Sequence, residues 1–133
     1  EIVNAREENT IAKVKQLTDG CGADVVIEAV GLPTTWEQAM KMVRKGGIVL
    51  EFGGCPPGTK VQMDTELLHY NEVTVKGSFH ATPTHFRKAL NLIASGVLNM
   101  EPVISKKMPL SQLHEAFERL ATTRSEVKIA IIP

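Results

Sequence analysis

The 133 residues carry fifteen lysines and arginines against fifteen aspartates and glutamates, a formal net charge of zero with histidine neutral. With no run of either sign, this balance leaves no electrostatic footprint for nucleic acid or an anionic membrane. No apolar stretch approaches the roughly 20 residues that span a bilayer, and the N-terminus lacks a signal-peptide layout, so a soluble, cytoplasmic chain is expected. Its length suits one domain whose core removes roughly two-thirds of the unfolded-chain surface from water. Glu1 in place of an initiating Met suggests a piece of a longer protein.

Cys21 and Cys55 have no C-x-x-C spacing and no secretory context, so reduced thiols are expected. His69, His80, His85 and His114 do not complete a zinc-type ligand pattern with them, and no metal site is expected within the chain.

In chain order, Ile2-Val3 reads as the tail of a strand. A helix follows, with Ile11, Val14 and Leu17 on one face and its end at Asp19-Gly20. The first core strand, Val25 to Val30, is apolar except for Glu28 and stops at Gly31. A carboxylate there is costly unless paired, so Glu28 points into a ligand crevice, meets a partner from elsewhere, or is satisfied by a neighbouring loop. Pro33 and Thr34 open a helix, with Thr34 and Glu37 spaced as a capping box and Arg44-Lys45 complementing the dipole at its end. Trp36, Met40 and Val43 share one face of it. Gly46-Gly47 then turns the chain into a second core strand, Ile48 to Phe52, nearly all apolar with one acid, Glu51, and closed by Gly53-Gly54. Strand, helix and strand within some thirty residues predict a right-handed βαβ unit in a parallel sheet covered on both faces.

Cys55-Pro56-Pro57-Gly58 predicts a rigid loop, and Asp64 a cap on a short helix through Leu67-Leu68. Glu72 to Lys76 alternates polar and apolar, which places a half-exposed strand near a sheet edge, and it runs into a third glycine, Gly77. Thr82-Pro83 opens a helix with Phe86, Leu90 and Ile93 inward and Gly96 as its stop. Pro102 to Pro109 is extended. Ser111 caps a last long helix whose Leu113, Phe117 and Leu120 face the core, and Val127 to Ile132 forms a final strand.

The motifs Ala23-Asp24-Val25-Val26-Ile27-Glu28-Ala29-Val30-Gly31, Arg44-Lys45-Gly46-Gly47, Phe52-Gly53-Gly54, Lys76-Gly77-Ser78 and Leu110 through Phe117 followed by Lys128-Ile129 occur in an informative order. Together they closely resemble the C-terminal part of the zinc-type medium-chain dehydrogenases, the alcohol, sorbitol and threonine dehydrogenase family. The resemblance covers essentially the whole chain, residues 1–133, as a partial dinucleotide-binding domain. It implies an α/β fold with a doubly wound, parallel Rossmann-type sheet, truncated so that the first strands are lacking.

What the resemblance further implies is hydride transfer between a secondary alcohol or polyol and NAD or NADP. Zinc would be held by a catalytic domain outside this chain, and the fragment alone would be inactive and bind a dinucleotide only weakly. Ala29, Val30 and Gly31 would line the crevice beside the cofactor. Gly53, Gly54 and Cys55 would offer backbone groups to the nicotinamide, as would Ser78 with His80 from the third strand end. A carboxamide needs a donor and an acceptor fixed in space, which main-chain groups supply without side-chain entropy loss. The alternatives at these positions are sharp turns for the glycines, a small buried apolar residue for Cys55, and a surface or hydrogen-bonded residue for His80. A homo-oligomer formed through the strand at 72–76 is also implied. Competing functions are the zinc-free quinone reductase branch and a non-catalytic nucleotide-sensing or dimerisation module.

Overall fold

A computed structural model describes residues 1–123 and 125–133, which form two compact units, Glu1–His80 and Ala81–Pro133.

In the first unit, α1 (Thr10–Leu17) precedes β1 (Ala23–Glu28), α2 (Pro33–Met42), β2 (Val43–Glu51), α3 (Thr65–Tyr70) and β3 (Thr74–Gly77). The strands form a three-stranded sheet in the order β1-β2-β3. Both pairings are parallel, with Glu28 opposite Glu51 and Glu51 opposite Gly77, so the three strands end level with one another at one rim. The core lies on one face of this sheet. Ala39 and Met40 of α2 pack with Val43, Val49 and Val73, and Val26, Leu68 and Val75 close around them. Val49 is completely buried.

The opposite face differs from the expectation of a sheet covered on both sides. Val25, Ile27 and Ile48 are 53%, 61% and 42% exposed. Side chains alternate along a strand, so these residues face away from the side on which Val26 and Val49 meet the core. The apolar character of β1 and β2 therefore exceeds what this unit buries. β1 and β3 are both edge strands of the sheet, which fits the alternating pattern read for the segment ending at Lys76.

Local starts and stops follow capping chemistry, with instructive shifts. Asn9 caps α1 by accepting from the Ala12 N–H, and Asp64 caps α3 by accepting from those of Glu66 and Leu67. α2 begins one residue before the expected box. Pro33 occupies its first turn, and Thr35 rather than Thr34 accepts from the Leu32 N–H. Glu37 is drawn off to accept from the Gln62 N–H. β2 starts at Val43 and not Ile48, because the pairing jumps from Ala23 opposite Val43 to Val25 opposite Ile48. Gly46, at φ 67°, takes up the extra length inside the strand. Arg44 thus does not serve the end of α2; it donates to Asp24 at 2.7 Å and, through that hydrogen bond and its charge, holds the Asp24 carboxyl below its usual range. β1 ends at Glu28, two residues before the expected Val30, where the chain turns into the Gly31 corner. Ile2-Val3 lies in no strand, having no partner to pair with in this sheet, and β3 begins at Thr74 because Glu72 takes a left-handed conformation at φ 51°.

The second unit contains α4 (Pro83–Ala94), β4 (Lys106–Pro109), a one-turn 3-10 helix (Leu110–Gln112), α5 (Leu113–Thr122) and β5 (Ile129–Ile132), with β4 and β5 parallel. Thr82 caps α4, accepting from the His85 N–H, and the chain leaves it at Gly96, φ 74°. Ser111 caps nothing, since it lies within the 3-10 turn and Gln112 occupies the cap position of α5. The helix stripes also depart from expectation. Phe86 and Leu90 of α4 and Phe117 of α5 are 69%, 64% and 65% exposed, and among the described residues of this unit only Met108 and Ala116 are buried. A two-stranded sheet of four-residue strands is too small to cover two amphipathic helices.

Candidate functional site

The rim where β1, β2 and β3 end together carries a cavity of about 470 Å³, a volume suited to a small ligand. It is walled by the end of β2 and the loop after it (Glu51 through Pro56), by Gly77, Ser78 and Phe79 after β3, and by Trp36 of α2. Ligands in parallel α/β sheets collect at this carboxyl end.

Close backbone approach builds the corner beside it. Gly31 has φ 79°, and a Cβ there would lie 2.5 Å from the Gly54 carbonyl oxygen. A Cβ on Gly53 would lie 2.5 Å from Glu28 Oε2 and 2.8 Å from the Val30 nitrogen. Both glycines are therefore required by the packing of one strand end against the other.

Glu28 organises this contact. Its Oε1 accepts from the Val30 and Gly31 N–H groups at 2.8 and 2.9 Å and from the Thr35 hydroxyl at 2.7 Å, while its main-chain oxygen accepts from Phe52 and Gly53. Burial acts to raise its pKa, but hydrogen bonds from Thr35, Gly31, Val30 and Gly53 outweigh burial and hold the carboxyl below its usual range. Of the three possibilities for Glu28, satisfaction by the neighbouring loop is the one realised.

Glu51, level with Glu28 on the adjacent strand, is treated in the opposite way. Only 5% exposed, it has an Oε2 without a hydrogen-bond partner among the described residues. Burial first, and the nearby Glu28 charge second, push its pKa up to about 7. The two carboxyls raise Cys55 as well, after its own desolvation, so this thiol is held further from the thiolate at neutral pH.

The expected contact residues separate into groups. Gly53, Gly54, Cys55 and Ser78 come together around the rim cavity. Gly53 has its N–H committed to Glu28 and its carbonyl accepting from the Trp36 indole at 2.9 Å, and the Ser78 N–H donates to the Glu51 main-chain oxygen. Among the described residues, the N–H groups of Gly54 and Cys55 have no such engagement within the protein. Ala29 and Val30 line a second, more apolar cavity of about 310 Å³ with Val3, Val14 and Met42. Gly31 is buried in the corner between strand ends, and His80 is exposed beyond the rim cavity, its ring against Phe79. Trp36 and the unpartnered Glu51 escaped the reading of the sequence as site residues. The signal for Glu51 was present: I-V-L-E-F-G-G repeats the acid-before-glycine arrangement of V-V-I-E-A-V-G.

No cluster of three or more His, Cys, Asp or Glu side chains among the described residues is placed to hold a metal ion. No helix among them is long and apolar enough to cross a membrane.

Comparison with known proteins identifies the family. Residues 1–95 match the family model of zinc-binding dehydrogenases. Sorbitol dehydrogenase of Bacillus subtilis is 28% identical over 99% of this chain and 37% of its own length. D-arabitol-phosphate dehydrogenase of Enterococcus avium is 31% identical over 98% of this chain and 36% of its length. A Sinorhizobium meliloti chain solved with NADP bound superposes with a TM-score of 0.84 at 28% identity, over 98% of this chain and 38% of that one. The sequence thus spans little more than a third of the relatives it matches. It belongs to the zinc-binding dehydrogenase family, where it corresponds to the C-terminal part of the Rossmann-type cofactor-binding domain.

Proposed function

We propose that this chain is the nicotinamide-side part of a dinucleotide-binding domain in a longer enzyme that transfers a hydride between a secondary alcohol or polyol and NAD or NADP. The observation that carries the reading is the rim cavity at three aligned parallel strand ends, with the Gly54 and Cys55 N–H groups beside it uncommitted among the described residues. A carboxamide-bearing ring fits those donors, with Ser78 facing it from the neighbouring strand end. Both units, residues 1–133, serve one cofactor domain in this reading. Ala29, Val30 and Gly31 shape the crevice wall, and His80 contributes contact only. Zinc, which polarises the substrate oxygen in such chemistry, has no fitting ligand set among the described residues and is assigned to none of them.

The polyol-acting names of the relatives support the substrate class, and the share of their length that is matched supports a larger enzyme. The free edge of β3 supports assembly with a second copy through residues 72–76. Two measurements test the function. The isolated chain titrated calorimetrically with NAD and NADP is expected to bind more weakly than micromolar, and micromolar or tighter binding would show that the dinucleotide site is already complete. The enzyme that contains this chain is expected to reduce NAD or NADP with at least one member of a secondary alcohol and polyol panel. Failure with every member of the panel, under both cofactors, would contradict the assignment.

A further inference from the structure

The β2 tip holds a feature that ring binding through main-chain donors does not use: Glu51, a residue of the cavity wall that is 5% exposed, has a carboxyl oxygen left unpartnered among the described residues. A buried polar atom without a partner costs free energy in the empty protein. No Lys, Arg or His forms a salt bridge with it among those residues. Among the described residues, the elements packed around it offer no compensating cation. β1 presents Glu28, already saturated with donors; the loop after β2 presents the Cys55 thiol; α2 presents the uncharged Thr35 and Trp36. On β3 the residue level with Glu51 is Gly77, and Lys76, level with Leu50, belongs to the opposite face. The wall of this cavity therefore carries an acid that no cation among the described residues compensates.

The two redox forms of a nicotinamide differ in that respect: the oxidised ring is cationic and the reduced ring neutral. Resting on the cofactor reading above, we propose that Glu51 sets the preference of the rim cavity between them, its carboxylate favouring the oxidised ring. The interaction is of charge with charge across a poorly solvated wall, where such terms are weakly screened. It has a reciprocal side. A cation bound beside Glu51 favours loss of its proton, so binding of the oxidised form strengthens as the carboxyl ionises. With that ionisation centred at about 7, the preference varies across the neutral range.

The test uses the full 133-residue chain and nicotinamide mononucleotide in oxidised and reduced form, followed by the amide resonances of Gly54, Cys55 and Ser78. The oxidised form is expected to bind about tenfold more tightly near pH 8.5. That ratio should fall several-fold near pH 6.5. In Glu51→Gln, which keeps the shape and removes the charge, the ratio should lose both its size and its pH dependence. An unchanged ratio in a folded Glu51→Gln chain would overturn the proposal. Should that variant not fold, the unsubstituted chain decides alone, since a ratio that stays flat with pH overturns it equally. If both forms bind with equal affinity, the cavity takes the ring and only the role of Glu51 fails. If neither form moves these amides, the cofactor reading of the cavity fails and takes this one with it.

Discussion

The tips of β1 and β2 carry the same residue at the same level of one sheet, and the fold treats the two in opposite ways. Glu28 sits where the chain turns into α2, so the Val30 and Gly31 N–H groups and the Thr35 hydroxyl converge on it. Glu51 sits where the chain runs on into the Gly53-Gly54 loop, and nothing converges on its Oε2 among the described residues. The first carboxyl is held low and the second is pushed up to about 7. Their level along the strands is the same, with Glu28 on an edge strand and Glu51 on the central one. What differs is the supply of donors from the element that follows, and that supply separates a structural carboxylate from one that can answer to a ligand.

The most severe way to break this pairing of tips is through the glycine that joins them. Gly53→Ala sets a Cβ against Glu28 Oε2 and the Val30 nitrogen. It is expected to cost ~3 kcal/mol or more, read as a lower urea midpoint; an unchanged midpoint would mean that the two tips are not packed as described. Glu28→Ala comes next, because it strands the donors that now converge on the carboxylate. A loss of ~2 kcal/mol at neutral pH is expected, and a neutral effect would remove Glu28 from its organising role.

Glu51→Leu should have the smallest effect and the reverse trend. An acid whose folded pKa lies above its unfolded value of 4.5 binds more protons folded than unfolded, so its contribution to stability falls as pH rises from 4.5 to about 7 and is flat above. Replacing Glu51 should remove that fall and leave the protein as stable as before, or more so, at alkaline pH. Glu28 has the opposite sign. Its depressed pKa stabilises the fold above the unfolded value and is lost as pH falls through the folded one. Urea midpoints measured across acid and neutral pH for the two variants check both signs.

The βαβ frame and its glycine-tipped ends were legible because burial in a parallel sheet demands apolar runs and glycine marks where they stop. Asp64 and Thr82 were legible because capping is local chemistry. The start of β2 was not: Arg44 reads as a helix-end cation until Asp24, twenty positions away in sequence, claims it. The helix stripes of the second unit show the same limit, since periodicity in Phe86, Leu90 and Phe117 announces an apolar face but not how much of it the unit can cover. Gly53, Gly54, Cys55 and Ser78, the contacts that the family resemblance implies, meet around the rim cavity. The contrast between Glu28 and Glu51 was not legible, because it depends on Thr35 and the Gly31 corner meeting one carboxyl and missing the other.

The most direct test of the central claim, that the aligned tips of β1, β2 and β3 form the seat of a nicotinamide, is an amide-shift map of the chain with NAD added in excess. Gly54, Cys55 and Ser78 should move most, with little change at the opposite ends of the strands around Cys21 and Lys45. The largest changes at that opposite end, or no change at the rim, would contradict it.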